Sequence, residues 1–277
     1  MPDTRKLKQT LRDILPPHLV RFVGLVLERV KRTNRYGFFG DFAAWKDAKA
    51  QSTGYDSESI SLKVRNAMLK VKSGEAAYER DSILFEKTDY RWPVVAGLLK
   101  VASANQNRLG ILDFGGSLGS SYFQNRGLLS HLTELRWCVV EQKAFVELGK
   151  MDFESEHLRF YYDLRSCFMN EPIEVVLLSS VLPYLEKPFE TLQQIFSFRV
   201  SHIIVDRTPF LLSGNRDRLT VQIVSPKIYK ASYPAWFFNK DRFLDFFQHQ
   251  YRLVADFESR DRANVPSEYK GFLFDLR

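Results

Sequence analysis

The residues best suited to chemistry lie in a glycine-rich bend near the middle of the chain. The bend reads Leu112-Asp113-Phe114-Gly115-Gly116-Ser117-Leu118-Gly119-Ser120 and directly follows an apolar run. Glycines are needed where a strand turns sharply and where the backbone approaches a ligand closely. The pattern therefore predicts that Gly115 and Gly116 leave room for a ligand and that Gly119 lets the next helix pack close to the strand.

A second acidic residue, Glu141, ends the following apolar run, 22 residues after Gly119 (141 − 119). A carboxylate at that place can accept hydrogen bonds from the ribose hydroxyls of a nucleotide. NAD sites use the same glycine bend and the same acid after the next strand, but Asp113 distinguishes a SAM site from an NAD site. It would oppose the anionic pyrophosphate of NAD, whereas it suits the ammonium and sulfonium groups of S-adenosylmethionine (SAM). These residues favour SAM as the cofactor.

The framework that must position these residues is predicted over 106–277, where short apolar runs alternate with helical stretches. The runs cover 109–114, 137–141, 158–162, 174–179 and 202–206, and the helical stretches lie near 120–132, 142–152, 164–170, 186–198 and 239–249. Such alternation indicates a parallel sheet covered on both faces. The last runs, 251–258 and 270–276, are joined without a helix and predict an antiparallel hairpin at the sheet edge.

The prediction is therefore an α/β, Rossmann-like fold with a mostly parallel seven-stranded sheet, the arrangement of SAM-dependent methyltransferases. A helical cap region is predicted over 37–105, with helical patterns at 42–51, 57–73, 74–86 and 91–104. One or two polar or aromatic residues of this region are candidates to line a substrate pocket: Tyr55, Tyr78, Glu79, Arg80, Asp81 and Trp92. The insertion 209–238 is a candidate lid or acceptor-binding segment.

Most of the net charge of +7 belongs to residues 1–36, which hold nine Lys/Arg and three acids. Residues 17–32 form a short basic amphipathic pattern that either packs on the domain or a second copy, or contacts an anionic membrane face peripherally. A nucleic-acid enzyme would more often carry basic charge on its folded body, so a nucleic-acid partner is not expected. Two cysteines without metal-ligand spacing predict no metal site and a cytoplasmic location.

Several strings together resemble a bacterial family of uncharacterised class I SAM-dependent methyltransferases that is often associated with surface-polysaccharide genes. They are LDFGGSLGSSYFQNR, VVEQ, LLSSVLPYLEKP, VDRTPF and YPAWFF. The resemblance covers the chain from about Gly40 to its end. It implies SAM as cofactor and a small-molecule or glycan acceptor, such as a sugar or a glycolipid-linked group in surface-polysaccharide biosynthesis. The chain departs from the general class I motif at Ser117, which replaces the middle glycine.

The resemblance also implies a role for each residue of the motif. Asp113, Gly115 and Gly116 would hold the methionine end of the cofactor within the bend that continues through Ser117 and Gly119, and Glu141 would hold the ribose. Asp163 would meet the adenine amino group, or alternatively cap a helix. Ser179 and Ser180 would sit beside the cofactor and face the acceptor, or alternatively form a cap or turn.

A general base for methyl transfer should lie at a strand's carboxyl end. Asp206 is the first candidate and Tyr184 the second, although Asp206 and Arg207 could instead form a surface pair or cap. Two other classes stay open: a non-catalytic scaffold with this fold, and an NAD-dependent sugar oxidoreductase or epimerase. The latter predicts a Tyr-x-x-x-Lys pair on a catalytic helix, and the chain has none at the expected place.

Overall fold

The structure is a computed structural model that describes residues 35–54 and 57–277. The basic segment and the membrane contact predicted for 17–32 lie outside the described residues, as does Tyr55. Ahead of the main sheet, three helices agree with the sequence patterns: α1 (Trp45–Ala50), α2 (Ser57–Ser73) and α3 (Trp92–Ala104). Pro93 stands in the first turn of α3, where its missing N–H costs no helical hydrogen bond.

The same region also contains strands that the sequence did not predict. Strand β1 (Gly37–Phe42) precedes α1, and the predicted helix over 74–86 is wrong, because this stretch forms strands β2 (Tyr78–Arg80) and β3 (Ile83–Phe85). The two strands pair antiparallel around a two-residue turn, Asp81-Ser82. Both turn residues have positive φ, 54° and 64°, which fits a type I′ hairpin turn. The usual glycine signal of such a turn is missing, so the local sequence looked helical.

From Arg108 onward, the strands and helices follow the predicted order. The strands are β4 (Arg108–Phe114), β5 (Glu134–Val140), β6 (Leu158–Tyr161), β7 (Val175–Ser179), β8 (His202–Leu211), β9 (Arg218–Ile223), β10 (Ser232–Phe237), β11 (Tyr251–Glu258) and β12 (Ser267–Leu276). The helices are α4 (Ser120–Asn125), α5 (Lys143–Asp152), α6 (Leu164–Asn170), α7 (Pro188–Ser197) and α8 (Lys240–Gln248). Helix α4 is shorter than the predicted stretch 120–132, and β8 is longer than 202–206.

The main sheet has seven strands in the order β11-β12-β8-β7-β4-β5-β6. The pairs β8–β7, β7–β4, β4–β5 and β5–β6 are parallel, and β11 and β12 form the antiparallel hairpin at the edge. This topology is that of class I SAM-dependent methyltransferases and confirms the predicted fold class. The order reverses between β4 and β7, so ligands are expected outside the carboxyl ends of these two strands.

The predicted insertion 209–238 does not form a separate loop. Strands β9 and β10 pair with each other, and β9 pairs with β1, which gives a three-stranded antiparallel sheet in the order β1-β9-β10. The small sheet therefore combines the insertion with the first strand of the predicted cap region. We refer to this sheet, together with the β2–β3 hairpin and helix α3, as the cap.

Two apolar layers cover the faces of the main sheet, as parallel strands require. One of them is rich in phenylalanine, with fully buried rings at Phe210, Phe243, Phe247, Phe272 and Phe274. Aromatic rings packed edge to face add about 0.5–1.5 kcal/mol per pair beyond the area they bury. Within the described residues, no helix combines the length and apolar character needed to cross a membrane.

Candidate active site

The carboxyl ends of β4, β7 and β8 open into a cavity of about 910 Å³, which the cap covers. Its size falls in the range of small-molecule and cofactor sites. The glycine bend forms its floor, and Ser179, Ser180, Tyr184 and Asp206 also line it. The structure thus brings together most of the residues singled out from the sequence, at the place where the strand order reverses.

The first two glycines of the bend are required by the protein itself. Gly115 has φ of +72°, and a Cβ placed on it would lie 2.5 Å from Cγ2 of Val181. A Cβ on Gly116 would lie 2.6 Å from Cγ of Asp113. Both distances are far below a van der Waals contact, so either side chain would force the bend to open. The sequence predicted that Gly115 and Gly116 leave room for a ligand, whereas Val181 and Asp113 fill this space in the structure.

The remainder of the bend fits its predicted role with one strained residue. A Cβ on Gly119, which has φ of +84°, would lie 2.9 Å from Cδ2 of Leu158, so the glycine lets α4 approach β6. Ser117 replaces the middle glycine of the motif and has φ of +56°. This left-handed conformation favours glycine, because a Cβ crowds the following carbonyl oxygen.

We expect the substitution Ser117→Gly to stabilise the protein by roughly 0.5–1 kcal/mol. It removes roughly 1–2 kcal/mol of backbone strain and adds roughly 0.5–1 kcal/mol of conformational entropy to the unfolded chain. Urea unfolding of the wild type, Ser117→Gly and Ser117→Ala measures the effect. Ser117→Ala is the control, since alanine keeps the strain. A glycine variant no more stable than the alanine variant would show that the bend is unstrained.

Two carboxyl groups, one buried and one half-buried, flank the bend without a basic partner among the described residues. Asp113 is 2% exposed, and the indole N–H of Trp137 donates to its Oδ2 at 3.0 Å. The half-buried carboxyl of Glu141 accepts the backbone N–H groups of Gln142 and Ser117. Burial raises the pKa of each carboxyl to about 7, and the charge of Glu141 contributes to the shift at Asp113. The bend therefore lies in a site that favours a positively charged ligand.

A third carboxyl group of this kind, Glu79, comes from strand β2 of the cap. It is 2% exposed, and Ser120 donates its hydroxyl to Oε2 at 2.6 Å. The backbone N–H of Ser82 donates to Oε1, also at 2.6 Å. Burial raises the pKa of Glu79 to about 7. The sequence marked Glu79 only as one of several pocket candidates, since its contact with the bend depends on the unpredicted hairpin.

Asp163 occupies the position of its alternative role. Its Oδ1 accepts the backbone N–H of Ser166 at 2.7 Å, which makes it the N-cap of α6. The residue is exposed and does not line the cavity, whereas its neighbour Tyr162 does. The capping bond accounts for Asp163, and contact with an adenine amino group remains a prediction.

The two serines after β7 take part in a turn at the cavity wall. Ser179 donates its hydroxyl to Oδ2 of Asp206 at 3.2 Å. Ser180 has φ of +57°, and its backbone N–H donates to the carbonyl oxygen of Asp206 at 3.0 Å. Both residues line the cavity, so the turn that they form also places them beside any ligand at the bend.

Asp206 is held in a buried ion pair that the sequence did not predict. Its side chain is 1% exposed, and Arg91, at the start of α3, binds it with two hydrogen bonds: Nη2 to Oδ1 at 2.6 Å and Nε to Oδ2 at 3.2 Å. The predicted surface pair with Arg207 is wrong, because Nε of Arg207 lies 3.3 Å from Oδ2 of Asp261 instead. With both oxygens engaged by Arg91, Asp206 serves better as a tie between cap and sheet than as a base.

Tyr184 lies in the 3₁₀ turn Leu182–Tyr184 after β7 and faces the cavity. Its ring meets that of Tyr233 edge to face, with 5.4 Å between centroids. Burial raises the pKa of the Tyr184 phenol, with smaller contributions from neighbouring groups. The phenol therefore stays protonated near neutral pH, which suits a hydrogen-bond donor to a substrate and not a general base.

One end of the cavity combines tyrosine rings with a charged pair, Arg207 and Asp261. The hydroxyls of Tyr229 and Tyr233 lie 3.2 Å apart. Burial would raise the pKa of Asp261, but the charges of Arg207 and Arg80 and the bond from Ser259 lower it overall. The carboxylate of Asp261 is thus matched by guanidinium groups, and this end of the cavity presents both donors and acceptors to a ligand.

No protein-family model matches the sequence, and no curated protein matches it. Among solved structures, similar chains include the N-terminal domain of EvdMO1 in the presence of SAH (S-adenosylhomocysteine) and D-fucose, with 15% identity over 77% of this chain and 97% of that one and a TM-score of 0.46. Magnesium protoporphyrin IX methyltransferase from Synechocystis PCC 6803 with bound SAM is 10% identical over 81% of this chain and 99% of that one, with a TM-score of 0.45. LepI in complex with SAM is 13% identical over 65% of this chain and 46% of that one, with a TM-score of 0.45. All three TM-scores are below 0.5. The fold class therefore follows from the strand order of this chain and not from these similarities.

Proposed function

We propose that the protein is a SAM-dependent methyltransferase. The observation that carries the proposal is a group of three carboxyls, the buried Glu79 and Asp113 and the half-buried Glu141, around a glycine bend at the switch point of the sheet. None of the three takes part in an ion pair with a described residue. A buried carboxylate without a cation is costly, and the sulfonium and ammonium groups of SAM would provide that cation. The pyrophosphate of NAD would meet three like charges instead.

The chemistry that SAM supplies when bound is an electrophilic methyl group, transferred by in-line displacement. The residues of the chain bind and orient the reactants. Glu141 would hold the ribose, and the bend from Asp113 to Gly119 would hold the methionine end. Tyr184 would donate a hydrogen bond to the acceptor, and the cap would keep water from the reacting atoms.

For the acceptor we propose a sugar or a glycolipid-linked group of surface-polysaccharide biosynthesis. The end of the cavity lined by Tyr229, Tyr233 and Asp261 supports this choice, since tyrosine rings and the Arg207–Asp261 pair offer an apolar face together with donors and acceptors for several hydroxyls. The strands of 209–238 form one wall of this end and would act as the acceptor-binding part of the cap. Attachment of residues 17–32 to the inner membrane face, which a lipid-linked acceptor would favour, is part of the same proposal.

Calorimetric titration with SAM, SAH and NAD tests the proposed cofactor. We expect SAM and SAH to bind and NAD not to bind. Transfer of tritium from methyl-labelled SAM to a panel of nucleotide sugars then tests the acceptor class. Binding of NAD in place of SAH would indicate an oxidoreductase. Binding of SAH with no transfer to any sugar would remove the sugar proposal and leave the cofactor proposal intact.

We also expect the affinity for SAM to rise with pH. Without the cofactor, the carboxyls of Glu79, Asp113 and Glu141 have pKa values of about 7, so each is largely protonated at pH 5.5. Binding a cation favours the charged carboxylates, so protons must leave when SAM binds at low pH. We expect roughly a tenfold or greater gain in affinity between pH 5.5 and 7.5, below the range in which the α-ammonium group of SAM loses its own proton. Calorimetry in two buffers with different ionisation enthalpies would measure the released protons, and a flat profile would contradict the assignment.

A further inference from the structure

Glu79 reaches the cofactor end of the cavity from the cap and not from the main sheet. Building on the proposed function, we propose that Glu79 binds the α-ammonium group of SAM, so that the β2–β3 hairpin completes the methionine end of the cofactor site. The site residues predicted from the sequence, from Asp113 to Asp206, all lie in the main sheet or in the segments that follow its strands. The inference adds a ligand-binding residue from a separate element and makes cofactor binding depend on the position of the cap.

The hairpin holds Glu79 against the last residue of the bend. Ser120 follows Gly119 directly, and its hydroxyl bonds to Oε2 of Glu79 at 2.6 Å. On the other side, the backbone N–H of Ser82 bonds to Oε1. The turn that aims this N–H consists of Asp81 and Ser82, both with positive φ although neither is glycine. Such conformations cost about 1–3 kcal/mol each and persist where the surroundings impose them.

The electrostatic setting of Glu79 calls for a cation from outside the chain. The two donors that reach its carboxyl are neutral groups, and the charge that acts on it from nearby is that of Asp81, another acid. Both Glu79 and Asp81 line the cavity. An ammonium group placed there would donate charge-assisted hydrogen bonds to Glu79, whose oxygens keep lone pairs beyond the two already engaged.

A ligand without an amino-acid end can show whether Glu79 binds the ammonium group or has only a structural role. SAH carries the same ammonium group as SAM, whereas 5′-methylthioadenosine keeps the adenine and ribose but has no ammonium. A residue that binds the ammonium should therefore affect the affinity for SAH alone. A residue that only supports the fold of the cavity as a whole should affect both ligands.

The experiment is calorimetric titration of the full chain and its Glu79→Gln variant with SAH and with 5′-methylthioadenosine. We expect the variant to bind SAH at least about tenfold more weakly, as the loss of a charge-assisted hydrogen bond implies, and to bind 5′-methylthioadenosine as the wild type does. Glu75→Gln is the matched control, since Glu75 lies in the same segment, is exposed and bonds to Ser73. It should bind both ligands normally.

Unchanged SAH affinity in Glu79→Gln would overturn the inference, and so would an equal loss for both ligands. A wild type that binds neither ligand would instead overturn the proposed function. Thermal unfolding shows whether Glu79→Gln is folded. If it is not, Glu79→Asp keeps the acid but shortens its reach, and a selective loss of SAH affinity in that variant is the supporting result. Equal SAH affinity of Glu79→Asp and the wild type would count against the ammonium contact.

Discussion

Replacing Arg91 by methionine is expected to lower the free energy of unfolding by about 3–5 kcal/mol, because it leaves a buried charge without its partner. The carboxyl group of Asp206 is 1% exposed and has both oxygens bonded to Arg91. Once the guanidinium is removed, the hydroxyl of Ser179 at 3.2 Å is the side-chain donor left to Asp206. One hydroxyl cannot offset the desolvation of a carboxylate, so urea unfolding should show a large loss.

The double variant Arg91→Met with Asp206→Leu is the control for this prediction. Removing both partners leaves no unpaired charge, and buried ion pairs replaced by apolar side chains of similar volume are often as stable as before. We therefore expect the double variant to recover most of the lost stability. A single variant as stable as the wild type would show that water reaches Asp206 and that the tie between α3 and β8 is weak.

Replacing Glu141 by alanine is expected to weaken binding of SAM, SAH and 5′-methylthioadenosine alike, by at least tenfold or about 1.4 kcal/mol. All three ligands carry the ribose that Glu141 is proposed to hold. The carboxyl also accepts the backbone N–H of Ser117, so its loss frees the bend on one side. Titration of the three ligands into the variant measures the effect.

Glu147→Ala is the matched control, since this residue lies in the next helix, is more than half exposed and pairs with Lys143 at the surface. Its affinities should equal those of the wild type. The three affinities distinguish the role of Glu141 from that of Glu79. Loss of Glu141 should weaken binding of all three ligands, whereas loss of Glu79 should weaken binding only of those with an ammonium group. Normal affinity in Glu141→Ala would place the ribose elsewhere in the cavity.

The sequence predicted the sheet well because parallel strands buried on both faces leave continuous apolar runs. The run from Val175 to Leu178 is buried throughout, and its neighbours in the sheet show the same pattern. The bend was equally visible, since the close approaches at Gly115, Gly116 and Gly119 leave no room for a side chain. Both signals are local, and each can be recognised without knowing what packs against it.

The cap could not be predicted because its structure depends on contacts between distant residues. Strand β1 needs β9, and Phe38 pairs with Gln222 across most of the chain. Arg91 and Asp206 are separated by 115 residues, and either alone reads as a surface charge. Glu79 meets Ser120 only because a turn without glycine folds 74–86 into a hairpin and not a helix.

A crystal structure of the protein grown with SAH tests the proposed cofactor site most directly. We expect the homocysteine portion to lie along residues 113–119 with its ammonium at Glu79, and the ribose hydroxyls to contact Glu141. Density for SAH outside the cavity below the cap, or an adenosine oriented with its ribose away from Glu141, would contradict the proposed cofactor site.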